Sequence, residues 1–326
     1  MKKALITGIN GQDGSYLAEF LLEKGYEVHG ILKRNSVSEN QTYRLDSVFD
    51  KLNLYYADMT DLSSLIYVIQ KSSPDEIYNL AAQSHVRVSF DQPIYTANVT
   101  GLGTLNILEA IRLTNPKIKL YQASSSEMFG NNIDDDGYQR ETTPMSPVSP
   151  YGCSKVFSYN ICRNYRNSYD MFVSNGILFN HESPRRGTNF VTNKVAKTAV
   201  EIKKGLRDKL VLGNLNATRD WGHAKDYVEA MWMILQQETS DDYVCSMGVS
   251  HSVKDLVEYV FTKLDLDWKD YVETDSKYLR PEELNDLKGD PSKLKITTGW
   301  QPKYSFETMI DEMVDYWIKF YEDTNG

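Results

Sequence analysis

Cysteine is scarce in this 326-residue chain. Its three residues, Cys153, Cys162 and Cys245, have neither disulfide nor metal-site spacing. No metal site is expected from them. No stretch approaches the roughly 20 apolar residues that a membrane helix needs. The apolar run after Met1-Lys2-Lys3 is too short for a signal peptide. A reducing, cytoplasmic setting is therefore the expectation. Positive charge is also short, with 36 Lys and Arg against 45 Asp and Glu and a net charge of -9. That argues against a nucleic-acid or anionic-membrane binder, and an anionic substrate would need its own local collection of basic residues. No internal repeat, low-complexity segment or glycine- or proline-rich linker interrupts the chain. Length suggests about two domains, and without a linker the second is expected to be built from interleaved C-terminal pieces. The 22 tyrosines are read as core and pocket filling.

What is present begins with a short apolar strand, Lys3 to Thr7. It runs into Gly8-Ile9-Asn10-Gly11-Gln12-Asp13-Gly14 and a helix from about Ser15 to Glu23. Tyr16, Leu17, Phe20 and Leu21 share one face of that helix, Gly25 is a plausible C-terminal cap, and a second strand spans Glu27 to Leu32. This is a β-turn-α-β unit. Its glycines allow a tight turn and close backbone approach, and a helix N-terminus attracts a pyrophosphate. Dinucleotide binding is the expectation. The acidic residue that would bind an NAD ribose at the end of the second strand is missing. Lys33-Arg34-Asn35-Ser36 stands there instead and favours the 2′-phosphate of NADP over NAD; the alternative is a solvated basic pair.

Further strands are expected at Asn53–Asp58, Glu76–Ala82, Ile118–Ala123 and Phe172–Phe179. Helices are expected near Asp61–Lys71, Tyr95–Arg112, Phe190–Lys204, His223–Gln236 and Phe306–Tyr321. An adenine could be held at Asp58-Met59. Small residues in Ala81-Ala82-Gln83-Ser84 would let a cofactor lie over a strand end, and His85 reads equally as a ligand contact or a satisfied loop histidine. The fold class is α/β: a Rossmann-type, doubly wound parallel sheet with a smaller, interleaved C-terminal domain. Residues 1–180, with about 212–245, form the dinucleotide-binding domain. About 181–211 and 246–326 form the other. Residues 131–150 read as a surface excursion, and from Tyr243 on the elements read as shorter.

The expected strand Ile118–Ala123 delivers Ser124-Ser125-Ser126-Glu127 at its C-terminal end, where ligands sit in open α/β sheets. Tyr151 and Lys155 follow, four residues apart and therefore on one helical face, with Pro150 well placed to start the helix. An ammonium beside a phenol favours the phenolate and makes a base that works near neutrality. Glu127 adds a second acid/base. One base suffices to oxidise an alcohol, whereas two suggest that a C–H proton is removed as well.

With these motifs in place, the chain resembles an extended short-chain dehydrogenase/reductase, and more narrowly the GDP-mannose 4,6-dehydratase family. The resemblance rests on residues 4–19, Asn79-Leu80-Ala81-Ala82-Gln83-Ser84-His85, residues 101–105, 176–187 and 219–232, Arg280-Pro281-Glu282 and Gly289-Asp290-Pro291-Ser292. It implies catalysis by Ser125, Glu127, Tyr151 and Lys155. It implies NADP contacts at Gly8, Asn10, Gly11, Gln12, Asp13, Arg34, Asp58, Met59, Leu80, Ala81, Ala82, Gln83, Ser84, Tyr95, Tyr151, Lys155, His181 and Arg186. A GDP-sugar would meet Ser84, Ser125, Glu127, Asn180, Lys194, Arg219, Arg280 and Glu282. Forked arginine donors suit a diphosphate. A homodimer through the helices near 95–112 and 151–168, or a tetramer, is implied as well. Ser125 replaces the family's Thr, Asn193 stands where a basic residue is expected, and the segment after Arg34 lacks the family's serine-rich form. A GDP-linked heptose or N-acetylhexosamine is therefore an alternative substrate to GDP-mannose. A reductase or 4-epimerase of the same fold, which needs no acid/base at Glu127, is the rival activity.

Overall fold

A computed structural model describes residues 1–34, 42–278 and 282–324. Its main sheet holds seven parallel strands: β1 (Lys3–Thr7), β2 (Glu27–Leu32), β3 (Asn53–Tyr56), β4 (Glu76–Asn79), β5 (Lys119–Ser125), β6 (Val173–Leu178) and β11 (Asp242–Cys245). They lie in the order β11-β6-β5-β4-β1-β2-β3. Central strands such as β6 are buried at every position, as expected when helices cover both faces of a parallel sheet. Helices α1 (Gln12–Glu23) and α8 (Ala224–Leu235) pack on one face. On the other lie α2 (Leu62–Ser72), α5 (Gly103–Thr114) and α6 (Pro150–Tyr169), the last through Cys162 and Tyr165. This is the strand order of the doubly wound dinucleotide-binding fold.

A second core lies off the sheet. It joins α7 (Val191–Lys203), β8 (Leu210–Leu212), Trp221, α9 (Val253–Lys263) and α11 (Phe306–Asp323). Helix α9 is not among the expected elements, although its buried Val253, Leu256, Val257, Val260 and Phe261 carry helical spacing and Ser252 and Asp255 form a capping box. Two short strands connect the cores. β9 (Thr218–Arg219) sits between β12 (His251–Ser252) and β14 (Asp286–Leu287), and β10 (Trp221–His223) pairs in parallel with β7 (Asn180–Glu182). The remaining elements are α3 (Val86–Asp91), α4 (Pro93–Thr96), β13 (Val272–Thr274), which pairs with β8, and α10 (Ser292–Thr298).

Among the boundaries that differ from the sequence expectation, three have local reasons. Helix α1 starts at Gln12, not Ser15, because extended Gly11 serves as its N-cap and puts Gln12 and Asp13 in its first turn. Strand β4 stops at Asn79 because the Thr7 hydroxyl accepts the N–H groups of Leu80 and Ala81, each at 3.0 Å. The expected helix over 95–112 is one helical run from Pro93 to Thr114 with a π-turn at Ala97–Leu102. The excursion is anchored rather than loose. Arg140 binds Asp134, Asp136 and Asp290, and Gln139 bridges to Gly289. No described helix is long and apolar enough to cross a membrane. All three cysteines are free thiols.

Candidate active site

A cavity of about 930 Å³ runs from the glycine turn, past the end of β5 and the start of α6, to α7 and β9. Its first wall is the turn. Gly8 has a left-handed φ of +67°, and a Cβ on Gly14 would lie 2.4 Å from the Gly8 carbonyl oxygen. Only glycine lets the turn fold this tightly against the first turn of α1, which no side chain caps. A helix start left open in this way can take an anion. Asn10, Gly11, Gln12, Asp13, Leu80, Ala81, Ala82 and Ser84 line the same end.

The turn is fastened to the opposite side of the cavity. Gln12 donates to the His181 carbonyl oxygen at 3.1 Å and accepts from the Ser183 hydroxyl at 2.7 Å. The His181 ring faces two acceptors at once, the Phe179 carbonyl through Nδ1 and the Asp13 carboxylate through Nε2, each at 2.8 Å. Burial alone would lower the imidazole pKa, but Asp13 overrides it and the net shift is upward. The Asp13 carboxyl is correspondingly held down, its own burial outweighed by His181. The geometry and both shifts describe an imidazolium–carboxylate pair at the glycine-turn end.

The catalytic candidates meet at the middle. Strand β5 ends at Ser125, whose hydroxyl oxygen accepts the Glu127 N–H at 3.2 Å and starts a short 3₁₀ turn. Ser149 caps α6 by accepting the Gly152 N–H at 3.0 Å, with Pro150 in the first turn. A Cβ on Gly152 would lie 2.8 Å from the Glu127 carbonyl oxygen. Glycine thus lets the start of α6 touch the Glu127 turn and brings Tyr151 against it. Ser149 and Gly152 are not among the residues singled out in the sequence, although a Ser-Pro-Tyr-Gly run is a helix-start signal. Ser125, Glu127, Tyr151 and Lys155 are all buried and all line the cavity.

One expectation about them changes. Burial pushes the Tyr151 phenol up to about 12, with the Ser125 hydroxyl working in the opposite sense and the Glu127 carboxylate adding to the rise. Lys155 lies one turn along α6, but its ammonium donates to the Ala123 carbonyl at 2.5 Å and stands 5.7 Å from the Tyr151 ring centre. Burial lowers it to about 8. In the chain by itself, desolvation outweighs the expected charge effect of Lys155 on the phenol.

The far end is basic although the chain is acidic. Lys194, Lys197, Arg207, Arg219 and Lys277 line it with Asn180, against Glu201 and Glu283. Lys194 donates to the Val211 carbonyl at 2.6 Å, and Arg219 to the Thr218 carbonyl at 2.7 Å. Lys197, Arg207 and Lys277 are absent from the sequence expectation. Lys194 and Lys197 at i, i+3 on α7 are the one readable signal. Glu282 is exposed and stands outside the cavity wall, which its neighbour Glu283 joins. Arg280 and residues 35–41 lie outside the described residues. Arg186 lines the cavity, paired with Glu182 at 3.1 Å and stacked on Phe190. His85 lines it too, and its ring accepts the Val88 N–H.

Arg34, Asp58, Met59, Gln83 and Tyr95 lie beyond the cavity wall. Gln83 donates to the His85 carbonyl oxygen and to Thr96. Lys33 is engaged by Asp58 at 3.2 Å and by the Tyr95 hydroxyl at 2.9 Å. Both residues of the basic pair at the end of β2 are exposed, and Arg34 lies over the Tyr56 ring.

A Rossmann sheet with a Ser-x-Glu turn at the end of β5, a Tyr-x-x-x-Lys helix across from it and a basic second lobe defines an extended short-chain dehydrogenase/reductase. A family model described as GDP-mannose 4,6 dehydratase matches residues 5–313. GDP-mannose 4,6 dehydratase 1 of Arabidopsis thaliana is 52% identical, the match covering 96% of this chain and 89% of the relative. GDP-mannose 4,6 dehydratase of Homo sapiens is 47% identical, covering 95% and 90%. Among solved structures, the UDP-glucose 4-epimerase of Thermus thermophilus, in complex with NAD, has a TM-score of 0.84 at 25% identity and covers 97% of this chain and 98% of its own. The chain belongs to the GDP-mannose 4,6-dehydratase family.

Proposed function

We propose that this chain dehydrates GDP-mannose to GDP-4-keto-6-deoxy-mannose, a hydro-lyase reaction with NADP as the bound dinucleotide. The observation that carries this reading is a buried Glu127 held beside Tyr151 in a cavity with a basic far end. The dinucleotide fits the glycine turn and Leu80, Ala81, Ala82 and Ser84, and Arg34 beside Tyr56 suits its 2′-phosphate. Its chemistry, when bound, is to store a hydride between C4 and C6 of the sugar, so no net reductant is used. Tyr151 takes the C4 hydroxyl proton, and the Lys155 ammonium is the group at hand to favour the phenolate as that proton moves. Ser125, whose oxygen already accepts from the Glu127 N–H, donates its hydroxyl to the C4 oxygen. The 4-keto group acidifies C5–H. Glu127 removes that proton and helps water leave from C6. Asn180, Lys194 and Arg219 hold the GDP moiety.

Residues 1–180 with about 212–245 form the dinucleotide lobe of this reading, and the rest forms the nucleotide-sugar lobe. We also infer a reducing, cytoplasmic setting, which the free thiols suit, and a homodimer or homotetramer, for which exposed Ile94, Leu102 and Phe157 on the helices near 93–102 and 150–169 speak. The test is mass spectrometry of GDP-mannose incubated with the chain and NADP. Loss of one water without NADPH accumulation is expected, whereas steady NADPH build-up excludes the reading. Glu127→Gln is expected to slow elimination by about 10²–10⁴-fold while hydride exchange at C4 persists. Unimpaired elimination would show that another group is the base. The same screen with GDP-heptose and GDP-N-acetylhexosamine ranks the sugars.

A further inference from the structure

Between β9 and β10 lies Asp220, a fully buried carboxylate that the dehydration steps do not use. Its neighbour Arg219 faces the cavity. Strand alternation turns Asp220 the other way, into the seam between the two lobes. There its Oδ1 accepts the Met247 N–H at 2.7 Å, and its Oδ2 accepts the N–H groups of Gly248 at 2.8 Å and Gly289 at 3.4 Å. Met247 and Gly248 closely follow β11, the edge strand of the main sheet, and Gly289 closely follows β14. One side chain therefore ties the main sheet, β14 and the β9–β10 junction together.

The backbone around it is shaped for this approach. Gly248 has a left-handed φ of +82°. A Cβ on Gly289 would fall 2.5 Å from the Ser246 hydroxyl oxygen and 2.7 Å from the Phe179 ring, so only glycine brings its N–H this close. Desolvation pushes the Asp220 carboxyl up to about 7, against the pull of the three N–H groups. A buried acidic group kept at such cost is better explained by what it holds in place than by stability.

We propose that Asp220 is a positioning residue. By gathering the N–H groups of Met247, Gly248 and Gly289 it clamps β9 to the main sheet and so aims Arg219 at the diphosphate of the nucleotide sugar. This rests on the reading of the Arg219 end as the diphosphate site. A small displacement of a binding group can cost up to about 10²-fold, and the clamp acts on that end alone.

The test uses the full-length chain and two ligands measured separately by calorimetry, GDP and NADP. Asp220→Asn keeps the size but turns an amide NH₂ toward N–H donors. It is expected to weaken GDP, and raise the KM for GDP-mannose, by about 10- to 100-fold. NADP affinity and kcat at saturating substrate are expected to stay within about threefold. Gly289→Ala, which displaces one donor without changing charge, is expected to show the same split and serves if the first variant folds poorly. In a double-mutant cycle, Arg219→Ala is expected to lose far less GDP affinity in the Asp220→Asn background than in the wild type. Equal loss of GDP in both backgrounds, or parallel loss of GDP and NADP affinity, would overturn the positioning role. Failure of the wild-type chain to bind GDP would instead sink the reading of the site itself.

Discussion

The two ends of the cavity are built in different ways. The glycine-turn end comes mostly from two stretches, residues 8–14 and Leu80, Ala81, Ala82 and Ser84, each at the end of a strand of one sheet. The basic end draws Asn180, Lys194, Arg207, Arg219 and Lys277 from five places on short strands, a helix and loops. A contiguous loop can be shaped by its own glycines. A dispersed site needs something to hold its parts in register, and the Gln12–Ser183, Asp13–His181 and Asp220 links are of that kind. Charge at the second end is thus a product of packing: an acidic chain presents a basic wall because Lys194, Lys197, Arg207, Arg219 and Lys277 converge there against Glu201 and Glu283.

The contrast can be broken most severely at the turn. In Gly14→Ala the new methyl would meet the Gly8 carbonyl oxygen at 2.4 Å. NADP affinity is expected to fall by about 100-fold or more, while GDP affinity, measured by calorimetry, changes at most a few-fold. A comparable loss of GDP would mean that the ends are not independent. A smaller effect sharpens the cofactor end from outside the cavity. Arg34→Ala is expected to weaken NADP about tenfold, in line with one lost charge-assisted contact, and to leave NAD unchanged. Equal loss of both would show that Arg34 does not read the 2′-phosphate.

The seam can be probed through pH. The Asp220 carboxyl sits at about 7 in the folded chain, above its ordinary value of 3.8, because it is buried. An acid raised by folding binds more protons folded than unfolded. Its contribution therefore erodes as pH climbs from about 4 to about 7. The Asp220→Asn variant lacks this titration, so its stability deficit relative to wild type is expected to narrow over that window in urea melts. A deficit that widens would mean that the carboxylate, not the acid, is the stabilising form.

Much of this is legible in the chain before it folds. The glycine turn, the order of the early strands and the Ser125, Glu127, Tyr151 and Lys155 set are local patterns, and the structure brings that set to one place. Helix α9 escapes notice despite its spacing and its capping box. Beyond the Lys194–Lys197 spacing, Arg207 and Lys277 cannot be told from surface arginines and lysines, because both stay exposed and nothing local marks a cation that packing will set on a cavity wall. The reverse holds for Glu282, whose neighbour Glu283 occupies the wall.

The sequence by itself determined where the chain turns tightly, since glycine takes the left-handed Gly8 conformation without steric cost and a Cβ at Gly14 or Gly152 would clash with backbone. It also determined which chemical groups are available, a phenol, an ammonium and a carboxylate. Tertiary structure decided their state. Burial, which no local pattern encodes, lifted the Tyr151 phenol to about 12 and lowered Lys155 to about 8. Folding also gave Asp220 its three backbone partners beyond β11 and β14, because desolvation and long-range hydrogen bonds exist only once distant segments have met.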